Sequence, residues 1–436
     1  MTSRTKFVVV MSSTCLVALL LLGGVVSKGA PADTTPVADN NIYKHLAVYS
    51  EVLSRIKSEY VEEPDMNSVT LGAMNGLLES IDPYASYLNA EQYKEYLKNF
   101  DTYKADLGMV LAKKFGYITI VATIPGSPAA KAGLTTGDML ESIKGIATRD
   151  MPLAYAKLLL KGTPDSTVDL SVLRRKPEPQ KMTMTRTVIT YPAVTSKMIP
   201  DSLGYIKVES IAPGTVKQIA TAVADLQRQG AKKLILDVRF CATGEPEDGV
   251  DLANLFLDKG LITYTQGQKS PRKDYNADPA KAVTTLPLVV MTNRGTAAAA
   301  EVAAAALQGD KRATLVGERT YGDASVRRPI TMDDGSAIIL SVAKYYSPEG
   351  KSIQDNSVTP EELVIEPEPT VVDPDSDEPQ VADADQKNPE DLILKKAIEV
   401  VTKGNNEVVS NGQQQGDSAR PGPALTPLNV PKPSNK

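Results

Sequence analysis

Three scarce residue types bound the chemistry open to this chain. It has one histidine, His45, and two cysteines, Cys15 and Cys241. A Ser/His/Asp triad, a Cys/His peptidase or a multi-histidine zinc site would each have to be built on His45. His45 falls in a stretch of helical apolar spacing, where a solvated or packing role is the simpler reading, and neither a metal nor a cofactor is expected. The stretch where chemistry would be sought is T-N-R-G-T-A-A-A-A-E-V-A-A-A-A-L-Q-G-D, residues 292–310. It follows the apolar strand P-L-V-V-M and opens a helix. The four positions 297–300 are all alanine, so the junction carries no hydroxyl or thiol there.

The elements that would position such a site can be read from pattern and punctuation. Basic residues Arg4 and Lys6 precede an apolar run, residues 7–27, the pattern of an export signal or an uncleaved membrane anchor. Cys15 lies inside that run, so Cys241 is the only cysteine of the exported part and has no intrachain disulfide partner. Residues 28–41 are small, polar and proline-bearing, which reads as a linker. Leu46, Tyr49, Val52, Leu53, Ile56 and Tyr60 repeat at helical spacing, and Val69, Met74, Leu77, Leu78 and Ile81 do so again. The E-E-P-D turn at residues 62–65 joins the two helices, and a third, polar helix starts near Ala90.

From residue 101 to 188 the texture changes to short strands and turns. G-Y-I-T-I-V-A, residues 116–122, alternates as a strand. G-S-P-A-A-K-A-G then supplies Ser127 as N-cap, Pro128 at the first helical position and Gly133 as the stop of a one-turn helix. A further helix with Leu153, Ala156, Leu159 and Leu160 inward precedes two more strands. From 189 to 365 apolar strands alternate with helices: G-Y-I-K-V, a helix with Val216, Ile219, Val223 and Leu226 inward, L-I-L-D-V, a helix around residues 252–257, P-L-V-V-M, the alanine-rich helix, and A-T-L-V-G. That alternation predicts an α/β layered core. Residues 366–436 are acidic, proline-bearing and polar, a mostly disordered tail with a short helix marked by Leu392, Leu394, Ala397, Ile398 and Val401. The fold class expected is therefore α+β multidomain: N-terminal helices over 42–100, a small barrel-like β module with two helices over 101–188, and an α/β core.

Composition excludes other classes. A net charge of −5 with no basic stripe argues against nucleic acid, and the absence of tryptophan with 5% aromatic residues leaves little from which to build stacking platforms.

The signature S-P-A-A-K-A-G-L-x-x-G-D in the second region resembles the PDZ modules of bacterial exported proteases. That resemblance puts Leu107, Gly108, Met109 and Val110 at a carboxylate-binding loop. Its backbone N–H groups would receive a peptide's terminal carboxylate while the peptide adds as a strand. Together with S-R-I-K-S-E-Y-V-E-E-P-D, L-L-E-S-I-D-P-Y-A-S-Y-L, K-L-I-L-D-V-R, V-G-E-R-T-Y-G and Y-Y-S-P-E-G-K-S-I-Q, the whole of roughly 43–360 resembles the carboxyl-terminal processing peptidases. These are S41 serine peptidases with an embedded PDZ domain.

The resemblance implies a serine and lysine dyad in which a neutral lysine activates the serine. This sequence departs from it at each position. In the frame of G-S-A-S-A-S-E the chain reads G-T-A-A-A-A-E, with the nucleophile position at Ala298. In V-G-E-x-T-x-G-K-G-x-V-Q the lysine position holds Asp323 and the orienting glutamine position Arg327. The oxyanion loop D-L-R-x-N-P-G-G reads D-V-R-F-C-A-T-G, with Thr243 and Gly244 in the glycine positions. An exported pseudopeptidase that binds peptides or unfolded protein C-termini is the reading that follows. Its partners would include an active paralogue or a second copy, and the membrane if the N-terminal segment is retained. The location expected is the bacterial periplasm or the extracytoplasmic face of the membrane. The rival is an active serine-type endopeptidase with relocated chemistry, drawing on Thr296, Ser325 or Cys241 as nucleophile and Lys311 or Lys344 as base. Asp323 with Arg327 and Arg328 reads as a salt-bridged surface group.

Overall fold

The computed structural model describes residues 39–114, 116–149, 151–174, 178–366 and 390–403. The expected export segment with Cys15, most of the linker, and most of the acidic tail lie outside the described residues. Among the described residues no helix is long and apolar enough to cross a membrane. The chain divides into two compact units, residues 1–70 and 71–436. The first unit contains α1 (Asp39–Glu59), on which His45 is exposed, and the opening turn of α2 (Met66–Glu79). Helix α1 starts within the stretch expected as linker.

In the second unit β1 (Ser86–Leu88) leads to α3 (Ala90–Asn99). Asn89 caps α3: its side chain accepts the Gln92 N–H at 2.9 Å, and the Gln92 side chain accepts the Asn89 N–H in return.

The β module begins with β2 (Ala105–Asp106), β3 (Met109–Lys114), β4 (Tyr117–Thr123), α4 (Pro128–Lys131), β5 (Met139–Ile143) and β6 (Ile146–Ala147). It is completed by α5 (Leu153–Leu160), β7 (Thr167–Leu173), β8 (Gln180–Thr185) and β9 (Thr187–Val188). The antiparallel order is β3-β4-β5-β7-β8, and β2 pairs with β9. Period-2 alternation puts Ile118 and Ile120, and Val168, Leu170 and Val172, into one core with Leu153, Ala156 and Leu159 of α5, and a bulge in β5 between Leu140 and Ser142 brings both Leu140 and Ile143 into it. Ser127 caps α4 as the sequence indicates, accepting the Ala130 N–H.

Apart from single helical turns at Pro279–Lys281 and Ile353–Asn356, the remaining elements are β10 (Thr195–Ile199), β11 (Leu203–Lys207), α6 (Thr215–Arg228), β12 (Lys233–Asp237), α7 (Pro246–Asn254), β13 (Leu261–Gly267), β14 (Ser270–Asn276) and β15 (Leu288–Thr292). After them come α8 (Ala299–Gly309), β16 (Ala313–Gly317), β17 (Ser325–Thr331), β18 (Ala337–Tyr346), β19 (Glu362–Leu363) and α9 (Leu392–Lys403). The central sheet runs β10-β11-β12-β15-β16-β19, parallel except for β10. Leu234, Leu236, Leu288 and Val290 face α6, α7 and α8, whereas Ile235, Val289, Met291 and Val316 face the opposite way. Both faces are covered, as a parallel sheet requires.

Three expectations shift. Helix α7 starts at Pro246, earlier than its apolar residues suggest, because Pro246 follows a capping box between Glu245 and Asp248. The β13–β14 hairpin carries no apolar alternation that would mark it, since S-P-R-K-D-Y-N is exposed and polar. Helix α9 is a layer of the core: Ile393, Ala397 and Val401 lie on Tyr205, Ile235, Val289, Met291 and Val316. Its buried stripe runs at i, i+4, i+8, so Leu394 and Ile398 are only flanking contacts and Leu392 is exposed.

Helix α8 is buried all round from Ala299 to Leu307, which explains its composition. Helix α7 crosses it so closely that a Cβ on Gly249 would lie 2.2 Å from the Ala299 carbonyl oxygen. Only glycine fits at position 249.

Candidate active site

Three loops leave the C-terminal ends of neighbouring parallel strands β12, β15 and β16, the usual place for a site in an α/β sheet. The middle loop is fixed by Asn293 and Thr296, both buried. Asn293 Oδ1 accepts the N–H groups of Phe240 and Gly295 at 2.9 and 3.0 Å. Thr296 Oγ1 accepts the Asn293 N–H and donates to the Val238 carbonyl. Ala297 N–H donates to the Cys241 carbonyl and Tyr321 N–H to the Thr296 carbonyl, both at 2.9 Å. The three loops therefore form one hydrogen-bonded unit.

At its centre Ala298 has φ 53° and ψ −124°, a conformation that costs an L-residue on the order of 1–3 kcal/mol. This elbow ends in α8, whose Glu301 and Val302 N–H groups bond to the Ala298 carbonyl. Ala297, Ala299 and Ala300 are buried, and Ala298 alone of the four is half-exposed. The fold thus turns out one side chain of the run, at the position that the sequence resemblance suggests for a nucleophile, and that side chain is a methyl group.

The β12 loop runs beside it. Arg239 bonds Asp237, Asp391 and Glu366, and Asp237 also receives the Tyr205 hydroxyl at 2.6 Å. Arg239 thereby ties this loop to the start of α9. Phe240 is 48% exposed with φ +59°. Thr243 is held by Ile211, giving its hydroxyl to the Ile211 carbonyl and accepting the Ile211 N–H. A Cβ on Gly244 would stand 3.2 Å from that of Ala299, so Gly244 packs against the start of α8.

The β16 loop is organised by Glu301, a fully buried carboxylate. It accepts the Thr320 hydroxyl, the Gly322 N–H at 2.6 Å and the Asp323 N–H at 2.7 Å. Burial pushes its pKa up to about 7, with the three donors working against that rise. Asp323 pairs with Arg327, whose guanidinium lies 4.0 Å over the Tyr84 ring. The pair is not the surface group the sequence suggested. The two side chains are 18% and 24% exposed, with the Tyr84 ring lying against the guanidinium. Lys157 of α5 faces the same place; burial lowers its pKa, and Asp323 is the largest charge opposing that shift. Ala242, Ala297 and Tyr84 join the hydrophobic core of the β module, and Tyr321 packs against it.

Of the relocated-chemistry candidates only Ser325 and Lys344 come together, as directly opposite residues of the β17–β18 ladder. Thr296 is committed to Val238, and Ser325 Oγ shares a hydrogen bond with Ser341 Oγ at 2.9 Å. Cys241 is fully buried, and burial pushes its thiol up to about 12. Lys311 follows the far end of the 11-residue α8, roughly 16 Å from the elbow. Glu301, Lys157, Tyr84 and Asn293 were missed as site residues. Only the fixed spacing of Glu301 from the alanine run marked it in the sequence.

The peptide loop also differs from expectation. Leu107 is fully buried, and its carbonyl accepts the Ala129 N–H at 3.0 Å. Gly108, at φ +76°, could carry no side chain, since a Cβ there would lie 2.3 Å from that of Ser127. The N–H groups expected to await a ligand are already paired: Asp106 Oδ1 accepts from Leu107 at 2.5 Å and from Gly108 at 3.2 Å. Met109 and Val110 are half-buried and begin β3, an edge strand paired only with β4 among the described residues.

Residues 202–364 match the model of Peptidase family S41, and residues 119–174 match that of the PDZ domain. The chain is 33% identical over 317 residues to Carboxy-terminal processing protease CtpA of Bacillus subtilis, covering 72% of this chain and 67% of that protein. It is 31% identical over 358 residues to the Carboxyl-terminal-processing protease of Synechocystis, covering 80% and 81%. Among solved structures it is similar to the photosystem II D1 C-terminal processing protease. The TM-score is 0.61 at 26% identity, over 73% of this chain and 86% of that one.

Proposed function

The chain belongs to peptidase family S41, among the carboxyl-terminal processing proteases that carry a PDZ domain, and from that premise we propose that it is a pseudopeptidase. It binds extended polypeptide through its PDZ domain and core and does not cleave it. One observation carries the reading: Ala298 keeps a strained elbow conformation while offering only a methyl group. Strain of this kind is held where a fold over-determines it, which supports Ala298 as the nucleophile position. The base position supports the same conclusion. Asp323 has the wrong charge for a lysine's task, and its partner Arg327 stays protonated at any physiological pH.

Binding without cleavage suits a scaffold, or a regulator of an active peptidase of the same family. The basic-then-apolar N-terminus supports export, with the protein acting outside the cytoplasm. The test is incubation of the full chain with an unfolded protein bearing an apolar C-terminus. The expected result is a complex without fragments. Fragments that vanish with Cys241→Ala or Ser325→Ala overturn the proposal in favour of relocated chemistry.

A further inference from the structure

The PDZ domain carries an acid of its own at the place where a ligand's acid would bind. Asp106 precedes the loop, and its Oδ1 accepts the N–H groups of both Leu107 and Gly108. Its backbone is pinned from two sides. Asp106 pairs with Thr187 in the β2–β9 ladder, and Ala105 exchanges N–H and carbonyl bonds with Gly162 at 3.2 and 3.0 Å. Two cations favour its ionised form: Lys161, and Arg186, which is itself buried and fixed by the carbonyls of Leu160, Leu159 and Thr167. Burial acts the other way and raises the Asp106 pKa. The carboxylate is thus held in a built setting, with a positive field behind it.

From this geometry we infer that Asp106 stands in for a ligand's terminal carboxylate, so that the PDZ domain recognises an internal extended segment of an unfolded chain and not a free C-terminus. The inference rests on the peptide-binding reading above and narrows it. A second carboxylate would have to displace Asp106 from two N–H donors and would meet its negative charge. An internal segment needs neither donor. It adds to the open edge of β3, where main-chain bonds supply affinity and the half-buried Met109 and Val110 contact alternate apolar side chains.

The test uses the full chain and one apolar ten-residue peptide in two forms, a free acid and a C-terminal amide, followed by fluorescence anisotropy. The wild-type protein is expected to bind both within about threefold, and Asp106→Ala to prefer the acid by about tenfold or more. A preference of about tenfold for the acid in the wild type overturns the inference, as does an Asp106→Ala variant that binds without discriminating. Failure of every protein to bind either peptide sinks the peptide-binding reading instead. The Asp106 contact is then judged by itself, from the amide resonances of Leu107 and Gly108 in selectively labelled full-length protein. Both shift in Asp106→Asn if the carboxylate sits on them, and unchanged resonances overturn the inference.

Discussion

The carboxylate of Glu301 accepts the backbone N–H of Asp323 at 2.7 Å, so one buried acid fastens the helix that starts at the Ala298 elbow to the turn that carries Asp323. With the Thr320 and Gly322 bonds it closes a span of about 20 residues in sequence. This acid fixes the β16 loop against the start of α8.

Stability should therefore depend on pH through Glu301. Its folded pKa, about 7, lies above its ordinary 4.5. A carboxyl raised in this way favours folding in its protonated form. The contribution is complete below pH 4.5 and is lost as pH rises through about 7. Glu301→Gln keeps the shape but cannot titrate. The stability advantage of wild type over Glu301→Gln should shrink by roughly 2–3 kcal/mol between about pH 4.5 and about pH 8. Urea denaturation of both proteins across that range measures it, and parallel pH profiles would rule the coupling out.

Asp323 and Arg327 are predicted to couple more strongly than an exposed pair. Tyr84 stacks on the guanidinium and the carboxylate is only 18% exposed, so Arg327→Ala leaves Asp323 half-buried without its partner. We expect a loss of about 2–3 kcal/mol for Arg327→Ala and a coupling energy above about 1 kcal/mol in a double-mutant cycle with Asp323→Ala. A coupling within error of zero would return the pair to the surface category.

Much of this layout was legible because periodicity is local. The continuous apolar runs L-I-L-D-V and P-L-V-V-M marked buried strands of a layered sheet, and the structure puts Leu234, Leu236 and Val290 on one side of it and Ile235 and Met291 on the other. Ser127, Pro128 and Gly133 announced their own helix. The site was legible only as a register, counted from Glu301. What the chain does there depends on residues far apart in sequence: Tyr84 under Arg327, Lys157 beside Asp323, Asp391 on Arg239. No spacing rule reaches across such distances. Asp106 was hidden differently, since pattern marks the loop but not the direction in which the side chain before it turns.

Cys241 should be inert in the native protein. With its pKa pushed up to about 12 by burial, roughly one thiol in ten thousand is ionised at about pH 8, and reagents reach it only through opening. Alkylation followed by mass spectrometry of the peptide containing Cys241 should show modification at the unfolding rate. Rapid labelling of the folded chain would revive Cys241 as a nucleophile.

The register at the elbow can be tested by rebuilding it. Ala298→Ser restores a hydroxyl at a half-exposed position whose backbone is already in the elbow conformation, so it should cost less than about 1 kcal/mol of stability. Asp323→Lys with Arg327→Gln supplies, on the proposed register, the base and the group that orients it. Lys157 then becomes a like-charged neighbour that lowers the new lysine's pKa, as a neutral base requires. The oxyanion loop is the weak element, since Thr243 is tied to Ile211 and donors lost from such a site can cost roughly 10²- to 10³-fold in rate. The triple variant is therefore expected to cleave an unfolded substrate slowly, at least about tenfold above the wild-type background by fragment mass spectrometry. That activity should disappear when position 298 alone is returned to alanine and the other two substitutions are kept. Cleavage that survives the reversion would show that position 298 is not where the nucleophile belongs.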